Sequence, residues 1–208
     1  MDRPTPEAVE REAKFFISSL GKLSAQITDL GGSLKKTKVF ETNLRFDTID
    51  QRLAGAFEVL RLRKDNRARL TFKGPRDPCS RIQVRKELEI EISNFETAQR
   101  ILEALGFSVS VIYEKFRTTY NLENVEIMLD EMPYGDFIEI EGPDSLSIRS
   151  IAEKLCLCWD RQAGTSYLGI FETLKRNSGM TCRDLTFENF NGKTINPHDL
   201  ELRWADIA

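Results

Sequence analysis

The chain has 208 residues, 40% of them hydrophobic, which suits one well-cored domain or a domain with an appendage. Its 30 basic and 33 acidic residues leave a formal charge of −3, so the global positive excess of a non-specific nucleic-acid binder is excluded. A single histidine, His198, excludes a Ser-His-Asp triad and a multi-histidine metal site, and any catalysis must rest on carboxylates, lysines, arginines and a metal ion.

The opening, MDRPTPEAVEREAKFF, lacks the basic start and apolar stretch of a signal peptide, and no apolar run approaches the ~20 residues that span a bilayer. A cytoplasmic protein without membrane contact is the expectation. Period-two alternation predicts a first strand over 8–16, followed by a helix over 18–30 that stops at Gly31-Gly32, where a left-handed C-cap fits. Strands follow at 38–47, 57–64, 67–73 and 83–92, then a helix over 95–105 ended by Gly106. Three more strands are predicted at 109–120, 124–130 and 136–141, and two more helices at 144–157 and 163–175. Cys156 and Cys158 fall in the apolar helical stretch, and with no second pair at zinc-ligand spacing they read as buried thiols. Residues 176–208 are polar and turn-rich, which sets a domain over 1–175 apart from a C-terminal appendage at 176–208, packed on the domain or on another subunit.

Residues two apart in a strand share a face. Glu10, Glu12 and Lys14 therefore project together, as do Arg61 with Arg63, Arg69 with Thr71 and Lys73, and Arg85 with Glu87, Glu89 and Glu91. Lys115 likewise goes with Arg117, and Glu139 with Glu141; Leu60, Leu62, Leu70, Phe72, Ile138 and Ile140 form the opposite, apolar faces. Alternation alone fits an open sheet with its charged face in water. Two features favour closure. Charge is sorted by strand, whereas a solvated face mixes signs. The strand VEREAKF, a helix and Leu30-Gly31 also answer to KELEIEI, a helix and Leu105-Gly106 at an offset of about 75 residues, and each half continues with three strands. Such a duplicated unit closes an antiparallel barrel without leaving sheet edges.

The expected fold class is thus α+β, an eight-stranded antiparallel closed barrel with flanking helices. Its charged face then becomes a lining, and unpaired buried charges are unfavourable by roughly several kcal/mol unless a ligand compensates them. Grouped carboxylates suit Mg²⁺ or Mn²⁺, while arginine and lysine suit phosphate oxygens.

EREAK at 10–14 is followed in order by LRFDTID at 44–50, LRLR at 60–63, LTFKGP at 70–75, VRKELE at 84–89, EKFR at 114–117, LDEMPYGDFIEIEG at 129–142 and SYLGIF at 166–171. Over residues 8–175 the chain resembles the CYTH superfamily, which includes class IV adenylate cyclases, thiamine triphosphatases and inorganic triphosphatases. The resemblance implies a tunnel of eight antiparallel strands that binds a triphosphate with a divalent metal, Mg²⁺ or Mn²⁺. It implies metal-binding roles for Glu10, Glu12, Glu139 and Glu141, with Asp130 a further acid, and phosphate-binding roles for Lys14, Arg61, Arg63, Lys73, Arg85, Lys115 and Arg117. Glu87 and Glu89 are implied as acids of the tunnel wall, either orienting arginines or taking part in catalysis. Phe46 and Asp47 are expected to shape a strand end and turn.

Two positions depart from the family pattern. SYLGIF has Gly169 where an acid is expected, and Val59 stands where thiamine-specific members carry a tryptophan, which disfavours thiamine triphosphate. LTFKGP and EKFR are similar to the class IV cyclase branch, so the activity implied is conversion of ATP to cyclic AMP and pyrophosphate. The same motifs serve an inorganic or nucleoside triphosphatase, or a non-catalytic polyphosphate- or nucleotide-binding module. No nucleic-acid partner is implied, and dimers are common among such relatives.

Overall fold

Alternation of charged and apolar residues produces eight strands in the computed structural model, which describes residues 9–77, 79–80 and 82–207. The expected strand start at Ala8 and the first part of the expected domain, 1–8, lie outside the described residues. The first half of the chain gives β1 (Val9–Ile17), α1 (Leu20–Asp29), β2 (Ser33–Asp47), α2 (Arg52–Gly55), β3 (Val59–Lys64) and β4 (Ala68–Lys73). The second gives β5 (Gln83–Ile92), α3 (Phe95–Ala104), β6 (Ser108–Leu122), β7 (Val125–Met132), β8 (Gly135–Glu141), α4 (Ser145–Lys154), α5 (Tyr167–Ser178) and the short α6 (Phe187–Phe190).

Local chemistry sets the helix ends. The side chains of Ser19, Asn94, Asp144 and Ser166 each accept an amide N–H at the start of α1, α3, α4 and α5. Helices α1 and α3 both stop at a glycine with positive φ, Gly31 at 86° and Gly106 at 90°, at equivalent points of the two halves.

Around the barrel the order is β1-β5-β4-β3-β2-β6-β7-β8, and β1 pairs with both β5 and β8, so the ring closes. Every neighbouring pair is antiparallel. Four neighbouring pairs join the two halves, and two of them, β1–β5 and β2–β6, match equivalent strands of the duplicated unit. Apolar rows face outward, most of them under the helices, while Leu88 and Ile90 of β5 stay exposed. Leu23 and Ile27 of α1 and Ile148 and Ile151 of α4 pack with Phe15, Ile127, Ile138 and Ile140, and Leu102 of α3 covers Leu44, Phe46 and Leu62. Burial of those outer rows leaves the charged rows to the lumen.

Several sequence expectations need correction. β2 begins at Ser33 instead of 38, and register shifts between Leu34 and Lys36 and between Lys36 and Val39 break its alternation. Helix α2 was not expected at all; the Asp47 carboxylate holds it by accepting the N–H groups of Thr48, Leu53 and Ala54 at 2.8, 2.9 and 3.0 Å. The helix expected over 144–157 ends at Lys154, after which Cys156 has a φ of 55°. Leu155 and Leu157 then turn inward, and Cys156 and Cys158 are exposed instead of buried.

The C-terminal segment packs on the chain's own barrel. β7 pairs with β6 only from Phe116 to Leu122, and beside the remainder of β6 the Leu185 N–H donates to Ile112 O while the Glu114 N–H donates to Leu185 O, both at 2.9 Å. Leu185, Phe190 and Leu200 are buried with Phe16, Tyr113 and Phe171. Further on, the Ala205 N–H donates to Phe16 O at 2.8 Å, and the Asp206 carboxylate accepts from the Ser18 amide and hydroxyl, each at 2.8 Å. Among the described residues no helix is long and apolar enough to cross a membrane.

Candidate active site

Closing the sheet with its charged rows inward encloses a cavity of about 550 Å³, the size of a small-molecule site. Its lining contains Glu10, Glu12, Lys14, Arg61, Arg63, Lys73, Arg85, Glu87, Glu89, Lys115, Arg117, Glu139 and Glu141, all the metal-binding, phosphate-binding and wall positions implied by the resemblance except Asp130. At one end the inward rows become apolar in Phe16, Met132 and Phe137, which pack with Tyr167 of α5. Ser166, Tyr167 and Leu168 bring the start of α5 onto the lining.

Strand register divides the acids into two groups. β1 and β8 set Glu12 opposite Glu141 and Lys14 opposite Glu139. Glu139 is tied to bases: Lys14 Nζ is 3.0 Å away and Arg117 also donates to it. Burial pushes Glu139 up, but Lys14 and Arg117 outweigh it and hold this carboxyl well below the usual range. Glu10 pairs with Lys73 at 2.5 Å. Glu12 has only Lys14, at 3.8 Å, and Glu141 makes no hydrogen bond or ion pair among the described residues. Burial, then Glu10, Glu12 and Glu87, push Glu141 up to about 7; burial and Glu139 raise Glu12 as well.

Crowded carboxylates with raised pKa values and too few cations fit a divalent metal. Among the described residues no three ligating side chains stand together as a ready-made cage. Mg²⁺ does not need one: it is commonly held by one or two carboxylates, waters and the oxygens of a phosphate substrate. Glu12 and Glu141, with Glu10 beside them, supply such a partial set.

Asp130, expected among the metal-binding acids, takes a different place. Fully buried behind the lining, its carboxylate accepts from Arg117 Nε at 2.6 Å and Nη2 at 2.5 Å, from Lys115 Nζ at 2.9 Å and from Tyr167 Oη at 2.7 Å. Its oxygens are occupied by the groups they position. Burial raises its pKa, but Arg117 and Lys115 prevail and keep it lowered. The wall acids do similar work: Glu87 lies 3.2 Å from Lys73, and Glu89 3.2 Å from Arg63. Lys14 additionally sits 4.0 Å above the Tyr167 ring.

The inward row of β2, Glu41, Asn43 and Arg45, escaped the sequence reading, as did Tyr113 on β6. Arg45 lies directly opposite Arg61 in the β2–β3 ladder, and both Arg45 and Tyr113 line the cavity. Arg61 donates to Tyr113 Oη at 3.3 Å. The available signal was the period-two rule used for the other strands, since Glu41, Asn43 and Arg45 alternate with Thr42, Leu44 and Phe46.

A closed antiparallel tunnel with acids and bases facing one lumen defines a class of protein built to enclose a highly charged ligand. The chain belongs to the CYTH family, whose CYTH domain matches residues 8–157. A candidate adenylate cyclase of Methanocaldococcus jannaschii is 33% identical over 149 residues, 70% of this chain and 81% of that protein. Among solved structures, a candidate adenylate cyclase of Vibrio parahaemolyticus is similar with a TM-score of 0.70 at 19% identity, covering 80% of this chain and 99% of that one. A Hippeastrum protein, described as a candidate adenylyl cyclase with a dominant triphosphatase activity, has a TM-score of 0.59 at 19% identity, covering 83% and 97%. At these identities the two structures show the shared fold.

Proposed function

We propose that the chain is a metal-dependent enzyme that binds ATP in the tunnel and converts it to cyclic AMP and pyrophosphate. The observation that carries this is the division of the lumen: Glu12 and Glu141 hold surplus negative charge, while Arg45 and Arg85, which have no ion pair among the described residues, hold surplus positive charge. Metal-complexed triphosphate is a ligand that asks for both. The naming of the Methanocaldococcus relative supports the cyclase activity.

Glu12 and Glu141, with Glu10 beside them, are the residues that would hold Mg²⁺ or Mn²⁺. When bound, such an ion lowers the pKa of an attacking hydroxyl and offsets charge on the phosphoryl group. Lys14, Lys115 and Arg117 are fixed by Asp130 and Glu139, so these donors meet the phosphates without reorganising. The cytoplasm, where ATP and divalent metal are both at hand, is the compartment that fits.

A triphosphatase is the second activity the site supports. The lining offers few apolar side chains to a base, chiefly Val9, Val59, Met128 and Leu168, and the similarly folded Hippeastrum protein has triphosphatase activity. Product analysis separates the two. Purified protein with Mg²⁺ or Mn²⁺ and ATP is expected to give cyclic AMP and pyrophosphate. Orthophosphate released from ATP or inorganic triphosphate would establish the triphosphatase instead, and tight binding without turnover would remove the enzyme assignment altogether.

A further inference from the structure

Arg45 belongs to none of the phosphate-binding positions carried over from family motifs, yet it lines the tunnel beside two further arginines. It faces Arg61 across the β2–β3 ladder, and Arg61 and Arg85 are the guanidiniums that press on it electrostatically. The Nε–H groups of Arg45, Arg61 and Arg85 are buried without an acceptor, as are those of Arg63 and Arg76. Other bases here have carboxylates: Lys73 has Glu10, Arg63 has Glu89, and Arg117 has Asp130. Arg45 and Arg85 have no such ion pair among the described residues, and the nearest carboxylate to Arg61 is Glu89 at 3.8 Å. Behind the same wall, fully buried Asn43 lies opposite Arg63 and Tyr113 with both amide atoms unpartnered.

Two guanidiniums without an ion pair, beside a third whose one carboxylate partner stands 3.8 Å away, call for a group of more than one negative charge and several acceptor oxygens. Within a polyphosphate chain, an internal phosphate carries one charge, and the terminal group, with its second ionisation near neutral pH, approaches two. Resting on the triphosphate-binding assignment above, we propose that Arg45, with Arg61, Arg85 and the Tyr113 hydroxyl, forms the subsite for the terminal phosphate and sets a preference for triphosphate over diphosphate. Arg61 occupies a lone pair of Tyr113 Oη, which leaves the phenol hydrogen to donate to a phosphate oxygen.

Calorimetric titration with inorganic triphosphate and with pyrophosphate, both in Mg²⁺, tests this on the native chain, Arg45→Gln and Arg45→Lys. Triphosphate is expected to bind the native chain at least about tenfold more tightly than pyrophosphate, as one charge-assisted contact allows. Arg45→Gln should lose about that factor for triphosphate and leave pyrophosphate unchanged, with Arg45→Lys intermediate. Without ligand, Arg45→Gln should melt no lower than the native chain, because removing one of three crowded like charges relieves repulsion; an ordinary structural arginine would show the opposite. Unchanged triphosphate affinity, equal losses for both ligands, or a lowered melting temperature would overturn the subsite. A native chain that binds no triphosphate would instead overturn the tunnel assignment, and the subsite with it.

Discussion

Asp130→Asn is expected to destabilise the chain by about 3–5 kcal/mol, because it removes the charge from a buried carboxylate and leaves Arg117 with Glu139 alone and Lys115 with only Glu41, 3.9 Å away. Asparagine keeps the shape, so the loss isolates the electrostatic part. For a chain of this size the change corresponds to a fall in melting temperature of roughly 10 °C. The pH dependence is fixed by sign. Asp130 has a lowered pKa in the fold, so its contribution is present above its unfolded value and is lost only as the pH falls through the folded one. The difference between native and variant should therefore stay level from about pH 5 to 8 and shrink only in acid. Thermal melts across that range check it; a variant that melts with the native chain at pH 7 would show that Lys115 and Arg117 are held by something else.

Glu12→Gln combined with Glu141→Gln should lower turnover by about a hundredfold or more while raising the stability of the metal-free chain at pH 8. Function and stability oppose each other here because both carboxylates have raised pKa values in the fold. For a carboxyl shifted upward, the charged form is disfavoured in the native state, so stability falls as pH rises from the unfolded value and has fallen fully above the folded one, about 7 for Glu141. Glutamine removes that cost. Melts in chelator at pH 5 and 8 should show the variant gaining on the native chain only at the higher pH. A double variant that melts lower at pH 8, or retains native turnover, would contradict the assignment of these two acids.

Much of the tunnel was legible because period two is a strong signal in long strands. Glu10, Glu12 and Lys14, or Arg61 and Arg63, declare a shared face without any knowledge of neighbours. The duplication then predicted closure, and the glycines at 31 and 106 marked equivalent helix ends. What alternation does not convey is depth and register. Asp130 has the parity of a lining residue, yet the neighbouring strand and α5 place Lys115, Arg117 and Tyr167 around it and remove it from the cavity. Period two sets Arg45 on the inward face, but it does not reveal what Arg45 meets there. Its importance comes from facing Arg61 across a ladder, and a single strand read alone carries no partner. The C-terminal segment showed no period because it is held by isolated anchors, Leu185 beside β6 and Asp206 on Ser18, and not by a regular face.

Every role assigned above depends on a lumen that takes a triphosphate together with a divalent metal. Titration of non-hydrolysable ATP analogue or inorganic triphosphate into the chain, with Mn²⁺ or Mg²⁺ and again in chelator, tests it most directly. One binding event per chain is expected, weakened at least about tenfold in chelator and in the Glu12→Gln, Glu141→Gln variant alike. Binding of equal strength with and without metal, or no binding at all, would contradict it.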